Sequence, residues 1–168
     1  MSNEAKVPSG AQVPPQPLKP PLATGASASG RPSQPNRHDE LRLLINSRHP
    51  IIAVETPEEE RLEALLLDIA TELSVPLYEW SVTTGLAKVH GAPMYNTDNP
   101  EQAVSNIALI QGDGIFLLKD FARYCEDGKI CRRLRELAEK FRTARRSIVL
   151  TAASLLALGL YTMRAKAI

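Results

Sequence analysis

The segment GIFLLKDFARY, Gly114 to Tyr124, sets four apolar residues, Ile115 to Leu118, ahead of Lys119 and Asp120. An apolar strand ending in an aspartate is how nucleotide triphosphate hydrolases hold magnesium. The carboxylate emerges at the edge of the sheet and offers the oxygen ligand that a hard cation takes. Asp120 is therefore the first candidate site residue. The chemistry it implies needs two companions. One is a glycine-rich loop with a lysine followed by Ser or Thr, whose N–H groups wrap the phosphates. The other is a base that activates the attacking water, which many ATPases place directly after the aspartate.

Neither companion is where it should be. The phosphate loop belongs after the first strand and opens the first helix, and here that stretch reads VETPEEERLEALL, without glycine or lysine. Glu58, Glu59 and Glu60 occupy the place where the free N–H groups and dipole of a helix start would otherwise favour an anion. A phosphate at about 4 Å from one of these carboxylates meets a repulsion of about 4 kcal/mol at an effective dielectric of ~20, before screening. The residue after Asp120 is Phe121, not a glutamate. Asp120 is then either a vestigial or partner-completed metal site, or a strand-end aspartate that caps or turns the chain before ARYCEDG.

The elements that position these residues follow from periodicity. DELRLLINSR carries Leu41, Leu44 and Ile45 at helical spacing, and PIIAVE is a short branched run that reads as a buried strand. In TPEEERLEALLLDIATEL, Thr56 is expected to cap, Pro57 to open the helix and Glu59 to complete a capping box, with Leu62, Leu65, Leu66, Ile69 and Leu73 inward. VPLYEWSV is the second strand and TGLAKVHGAPMYNTDN a long loop. Asn99 caps and Pro100 opens the next helix. GIFLLKD is the third strand, GKICRRLRELAEKFRTA an amphipathic helix and SIVLTAAS the fourth strand. Strands alternating with helices predict an α/β fold, a mainly parallel sheet of about four strands with helices on both faces. Sites in such sheets lie at the carboxyl ends of the strands, here Glu55-Thr56, Val82 to Thr84, Lys119-Asp120 and Thr151-Ala152.

Composition narrows the function classes. With 168 residues and a formal net charge of +1, the chain carries no overall pull toward nucleic acid or membrane. Cys125 and Cys131 are six apart, the three histidines are scattered, and neither set has metal-ligand spacing. The first ten residues lack the apolar core of a signal peptide, and two unpaired thiols suit a reducing interior, so a cytoplasmic location is expected. Residues 1–37 hold eight of the thirteen prolines and read as a disordered tail, a plain linker or a docking segment for a proline-binding domain. Ser147 to Met163 has no charged residue but is short and too polar for a span, so it reads as a strand followed by an apolar tail. Arg132, Arg133, Arg135 and Arg142 make the fourth helix basic. With no interleaved aromatics, no nucleic-acid partner is expected, and the face is either a subunit contact or plain solvated surface.

The order HDELRLLINSRHPIIAVETPEEER, LYEWSVTTGL, GIFLLKDF, RRLRELA and RRSIVLTAAS resembles the amino-terminal part of AAA-type ATPases encoded in plastid and cyanobacterial genomes and in many bacteria. The likeness runs from about Asp39 to Ser154, and WSVTTGL and PEEER are its most specific pieces. It implies a P-loop-type fold without its own phosphate loop over residues 38–154, with the hydrolytic, ATP-magnesium-binding module lying downstream. By this resemblance Asp120 falls where the magnesium aspartate would be, and Thr151 near the residue that senses the terminal phosphate. It also implies an ATPase module or ring neighbours as partners. Residues 155–168 depart from the family's pattern, and the chain is a truncated product, a fragment or a stand-alone protein. The expected function is a non-catalytic interaction or regulatory domain with no cofactor of its own. The alternative is a nucleotide hydrolase with an unorthodox site around Asp120 and Thr151.

Overall fold

The computed structural model describes Met1, residues 36–152 and residues 163–165. The expectation of a disordered tail falls on residues that, apart from Met1, Asn36 and Arg37, lie outside these. In chain order the elements are α1 (Arg37–Asn46), β1 (Ile51–Glu55), α2 (Glu59–Leu73), β2 (Leu77–Ser81), β3 (Gly85–Lys88), α3 (Pro100–Leu109), β4 (Gly114–Leu118), a 3-10 turn (Phe121–Glu126), α4 (Gly128–Phe141), β5 (Arg146–Ala152) and β6 (Met163–Ala165).

The strands form one six-stranded sheet in the order β3-β2-β4-β5-β1-β6. All pairings are parallel except β2 with β3. The fold class is α/β as expected, and two strands are added to the expected four. One is β3, inside the segment read as a long loop. Ser81 Oγ accepts the Thr84 N–H at 3.2 Å and lies 2.7 Å from Thr84 Oγ1, closing a tight turn after β2. Gly85 then takes a φ of +74°, open to glycine at no steric cost, and a Cβ there would meet Thr97 Oγ1 at 2.7 Å. The other is β6, in the segment read as an apolar tail, where Ile52 to Val54 pair with Met163 to Ala165.

Alternation along the central strands divides the core. On β4, Ile115 and Leu117 face α1 and α2, with Leu41, Ile45, Leu62, Leu66 and Ile69 against them. Phe116 and Leu118 face the other way, toward Val104 and Ile107 of α3 and Leu134, Leu137 and Phe141 of α4. Each such side chain, fully withdrawn from water, contributes about 1.5–3 kcal/mol. Helix starts follow their caps. Asn99 Oδ1 accepts from Glu101 N at 2.8 Å and Gln102 N at 3.2 Å, and Asp127 Oδ1 accepts from Lys129 N at 2.7 Å.

The segment after β3 folds back over its outer margin. Met94 N donates to Leu86 O at 2.7 Å, and Ala87 bridges Pro93. Thr97 Oγ1 accepts the Leu86 N–H at 2.8 Å and donates to Met94 O at 2.7 Å. Trp80 is fully buried and donates from Nε1 to Thr97 O at 2.5 Å. Its ring packs edge-on against Phe121 and Tyr124, while Tyr78 stacks on Phe116 and Val82 is 52% exposed.

Candidate functional site at the carboxyl ends of the strands

A cleft of about 680 Å³ opens where β1 and β4 end, lined by Thr56, Pro57, Glu58, Glu59, Glu60, Arg61 and Asp120. It lies between the end of β1 and the first turn of α2.

Its floor is set by main-chain bonds. Thr56 donates its N–H to Ala152 O at 3.2 Å, tying the end of β1 to the end of β5. Thr56 Oγ1 accepts from Glu58 N at 3.0 Å. This bond makes a local turn, not the expected helix cap, and α2 starts later, at Glu59, with Glu58 before it. The capping box is absent for a physical reason: the Thr56 N–H that Glu59 would have taken is already held by Ala152. Glu59 turns instead to β5 and accepts from Thr151 Oγ1 at 2.5 Å.

Thr151 is fully buried, and its hydroxyl is used twice: it also accepts the Asp120 N–H at 2.8 Å. The two positions singled out in the sequence, Asp120 and Thr151, are thus brought into contact, through the main chain of one and the side chain of the other. Asp120 has φ +51°, the left-handed region, tolerable for an aspartate but strained for most residues. Its side chain is exposed and has no hydrogen-bond partner among the described residues. The third member, Glu59, was read only as a capping residue. Nothing in the sequence signals a bond across 92 positions.

Four carboxylates and one guanidinium therefore line the cleft, and Arg61 lies 3.3 Å from Glu58. Lys119, beside Asp120, is engaged elsewhere. Its Nζ lies 2.7 Å from Glu63 Oε2 and 3.0 Å from Glu79 Oε2. Burial pulls its pKa down, but hydrogen bonds and charge from these two carboxylates outweigh burial and leave it raised. It remains a cation bound to α2 and β2. Among the described residues no three acid, histidine or cysteine side chains are arranged to hold a metal ion. The four acids against Arg61 give the charged lining of the cleft a negative formal balance.

Residues 37–157 match the family described as SpoVK-like AAA ATPase, N-terminal domain. The chain belongs to that family. It is 31% identical over 116 residues to the "Uncharacterized AAA domain-containing protein ycf46" of Trieres chinensis, covering 67% of this chain and 23% of that protein. The protein of the same name from Pyropia yezoensis is 32% identical over 118 residues, covering 68% and 24%. That from Guillardia theta is 32% identical over 119 residues, covering 69% and 24%. The chain thus matches about a quarter of the length of these relatives. No solved structure matches it. The family assignment agrees with the resemblance drawn from WSVTTGL and PEEER, segments that the fold places at the end of β2 and the start of α2.

Among the described residues no helix is long and apolar enough to cross a membrane, and Ser147 to Ala152 belong to β5. On α4, Arg132 pairs with Glu136 at 2.8 Å and Arg133 with Glu101 at 3.0 Å. Arg133 also donates to Ser105 Oγ.

Proposed function

We propose that this domain is a non-catalytic interaction and regulatory module of an AAA-type ATPase, a P-loop-like fold whose phosphate position is filled by its own acids. The observation that carries the reading is the Glu59–Thr151–Asp120 chain. In a nucleotide site, Asp120 and Thr151 would be turned to magnesium and phosphate. Here the Thr151 hydroxyl gives its proton to Glu59 and takes the Asp120 N–H, leaving none to offer a ligand. The acids of the α2 start add repulsion to any phosphate that enters.

Nucleotide then acts only through a hydrolytic module of the longer family members, and the partners of this domain are that module or its ring neighbours. A cytoplasmic setting agrees with the two free thiols, Cys125 and Cys131.

Isothermal calorimetry with ATP-magnesium at millimolar concentration tests the reading, with no saturable heat expected. Saturable, magnesium-dependent binding that Asp120→Ala weakens would overturn it and leave the hydrolase around Asp120 and Thr151 as the better account.

A further inference from the structure

The two edges of the sheet are covered differently. Beside β3 the chain folds back through Pro93 and Met94, whereas at the other edge β1 is covered by β6. β1 is built as an interior strand. Ile52, Ala53 and Val54 are at most 1% exposed, and Ile51 to Glu55 all pair with β5. Among the described residues, its other side pairs only at Ile52, Ala53 and Val54, with Met163, Arg164 and Ala165. A strand of 3 residues thus closes the edge of a strand of 5.

The main chain fixes what that edge offers. Thr56 N–H goes to Ala152 O, and Pro50 O accepts from Ile148 N, both on the β5 side. Main-chain groups alternate sides along a strand, so Ile52 and Val54 also turn toward β5 and Ala53 turns toward β6. Arg164 stands opposite Ala53. In a parallel ladder the Ala53 N–H then reaches Met163 O, and the Ala165 N–H reaches Ala53 O. These contacts belong to the backbone, and a second extended segment with an N–H at the Ala165 position repeats them. β6 also lies outside residues 37–157, the part that matches the family. The edge of the matched domain is covered by a short strand from beyond it.

We propose that β6 is an exchangeable strand and that the outer edge of β1 is a strand-acceptor site, which takes β6 of a second copy in the register that β6 shows here. A second copy is the occupant the structure argues for, because it brings the same segment and needs no new fit. Exchange of an identical element is reciprocal. Each copy gives one strand and receives one, so the pair closes at two. A short pairing at a sheet edge opens before the rest of the sheet, which gives the incoming strand access. The inference uses no side chain of the acidic cleft, so it stands apart from the nucleotide reading.

A fluorescein-labelled peptide of residues 159–168, GLYTMRAKAI, stands in for the strand of the second copy. Ala165→Pro in the full chain removes the N–H that meets Ala53 and disables the resident strand. By fluorescence anisotropy the peptide should bind this variant saturably. It should bind wild type about tenfold more weakly or worse, because the resident strand competes at a high effective concentration. The peptide carrying the same proline should bind neither. Circular dichroism checks that the variant is folded. Hydrogen exchange of the wild-type chain gives a readout that needs no variant: the Ala53 amide should be at least about tenfold less protected than those of Ile52 and Val54, which turn to β5. No saturable binding to the folded variant, equal affinity for variant and wild type, equal binding of the proline peptide, or equal protection of Ala53 and Val54 would overturn the proposal.

Discussion

Thr151 Oγ1 donates to Glu59 Oε1 at 2.5 Å, joining the end of β5 to the first turn of α2 beneath the acidic cleft. Replacing the hydroxyl by a methyl in Thr151→Val keeps the shape and removes both bonds. Glu59 loses its donor and the Asp120 N–H its acceptor. A loss of about 1–3 kcal/mol is expected, read as a lower urea midpoint at unchanged slope. Thr151→Ser keeps the oxygen and should retain most of the stability. Equal midpoints for Val and wild type would show that water replaces both partners.

The backbone at Asp120 makes a separate prediction. With φ +51°, the position accepts Asp, Asn or Gly but resists a branched side chain. Asp120→Asn should leave thermal stability close to wild type, and Asp120→Val should cost about 1–2 kcal/mol. If Val and Asn melt together, the left-handed conformation is relaxed in solution.

Lys119 sets an alkaline limit. Its pKa is raised above the ordinary 10.5, because the hydrogen bonds and charge of Glu63 and Glu79 prevail over burial. The folded state thus holds this proton more tightly than the unfolded chain. The resulting stability is fully present below pH 10.5 and fades as pH climbs through the folded-state pKa. Lys119→Met should cost about 1–2 kcal/mol at neutral pH, leaving two half-buried carboxylates facing each other, and should flatten the alkaline loss seen in wild type. Parallel alkaline slopes for the two proteins would remove Lys119 as the cause.

Cys125 should be a quiet thiol. Burial, with a smaller push from Cys131, raises its pKa to about 12, so almost none is thiolate at neutral pH. Iodoacetamide at pH 8 should alkylate Cys125 in the native chain at least about tenfold more slowly than in urea, read by peptide mass spectrometry. Equal rates in the two states would mean the 3-10 turn opens readily.

Sequence reading recovered the parts of the fold whose signal is local. IIAVE and GIFLL are apolar runs bounded by turn residues, and they became β1 and β4 within two residues of the expected limits. The inward residues of α4, Ile130, Leu134, Leu137 and Phe141, were legible from helical spacing. Less was legible where the deciding partner lies far along the chain. GLAK is too short and too glycine-dependent to read as a strand, and its place depends on Thr97, which takes the Leu86 N–H. The expected capping box failed because Ala152, in another strand, takes the Thr56 N–H that Glu59 needed. At the candidate site Asp120 and Thr151 could be singled out, but not their bond. Lys119's two acids lie 56 and 40 positions away, with no local pattern to announce them.

The fold-back of residues 93 and 94 over β3 also bears on how the protein fails. A bare outer strand offers a row of free N–H and C=O groups on which another chain can template itself. Here the Leu86 carbonyl is taken by Met94, and Pro93, opposite Ala87, has no N–H to give. This margin of the sheet is closed to cross-β growth, so a deletion that removes Pro93 and Met94 would turn a quiet edge into a seed for fibrils.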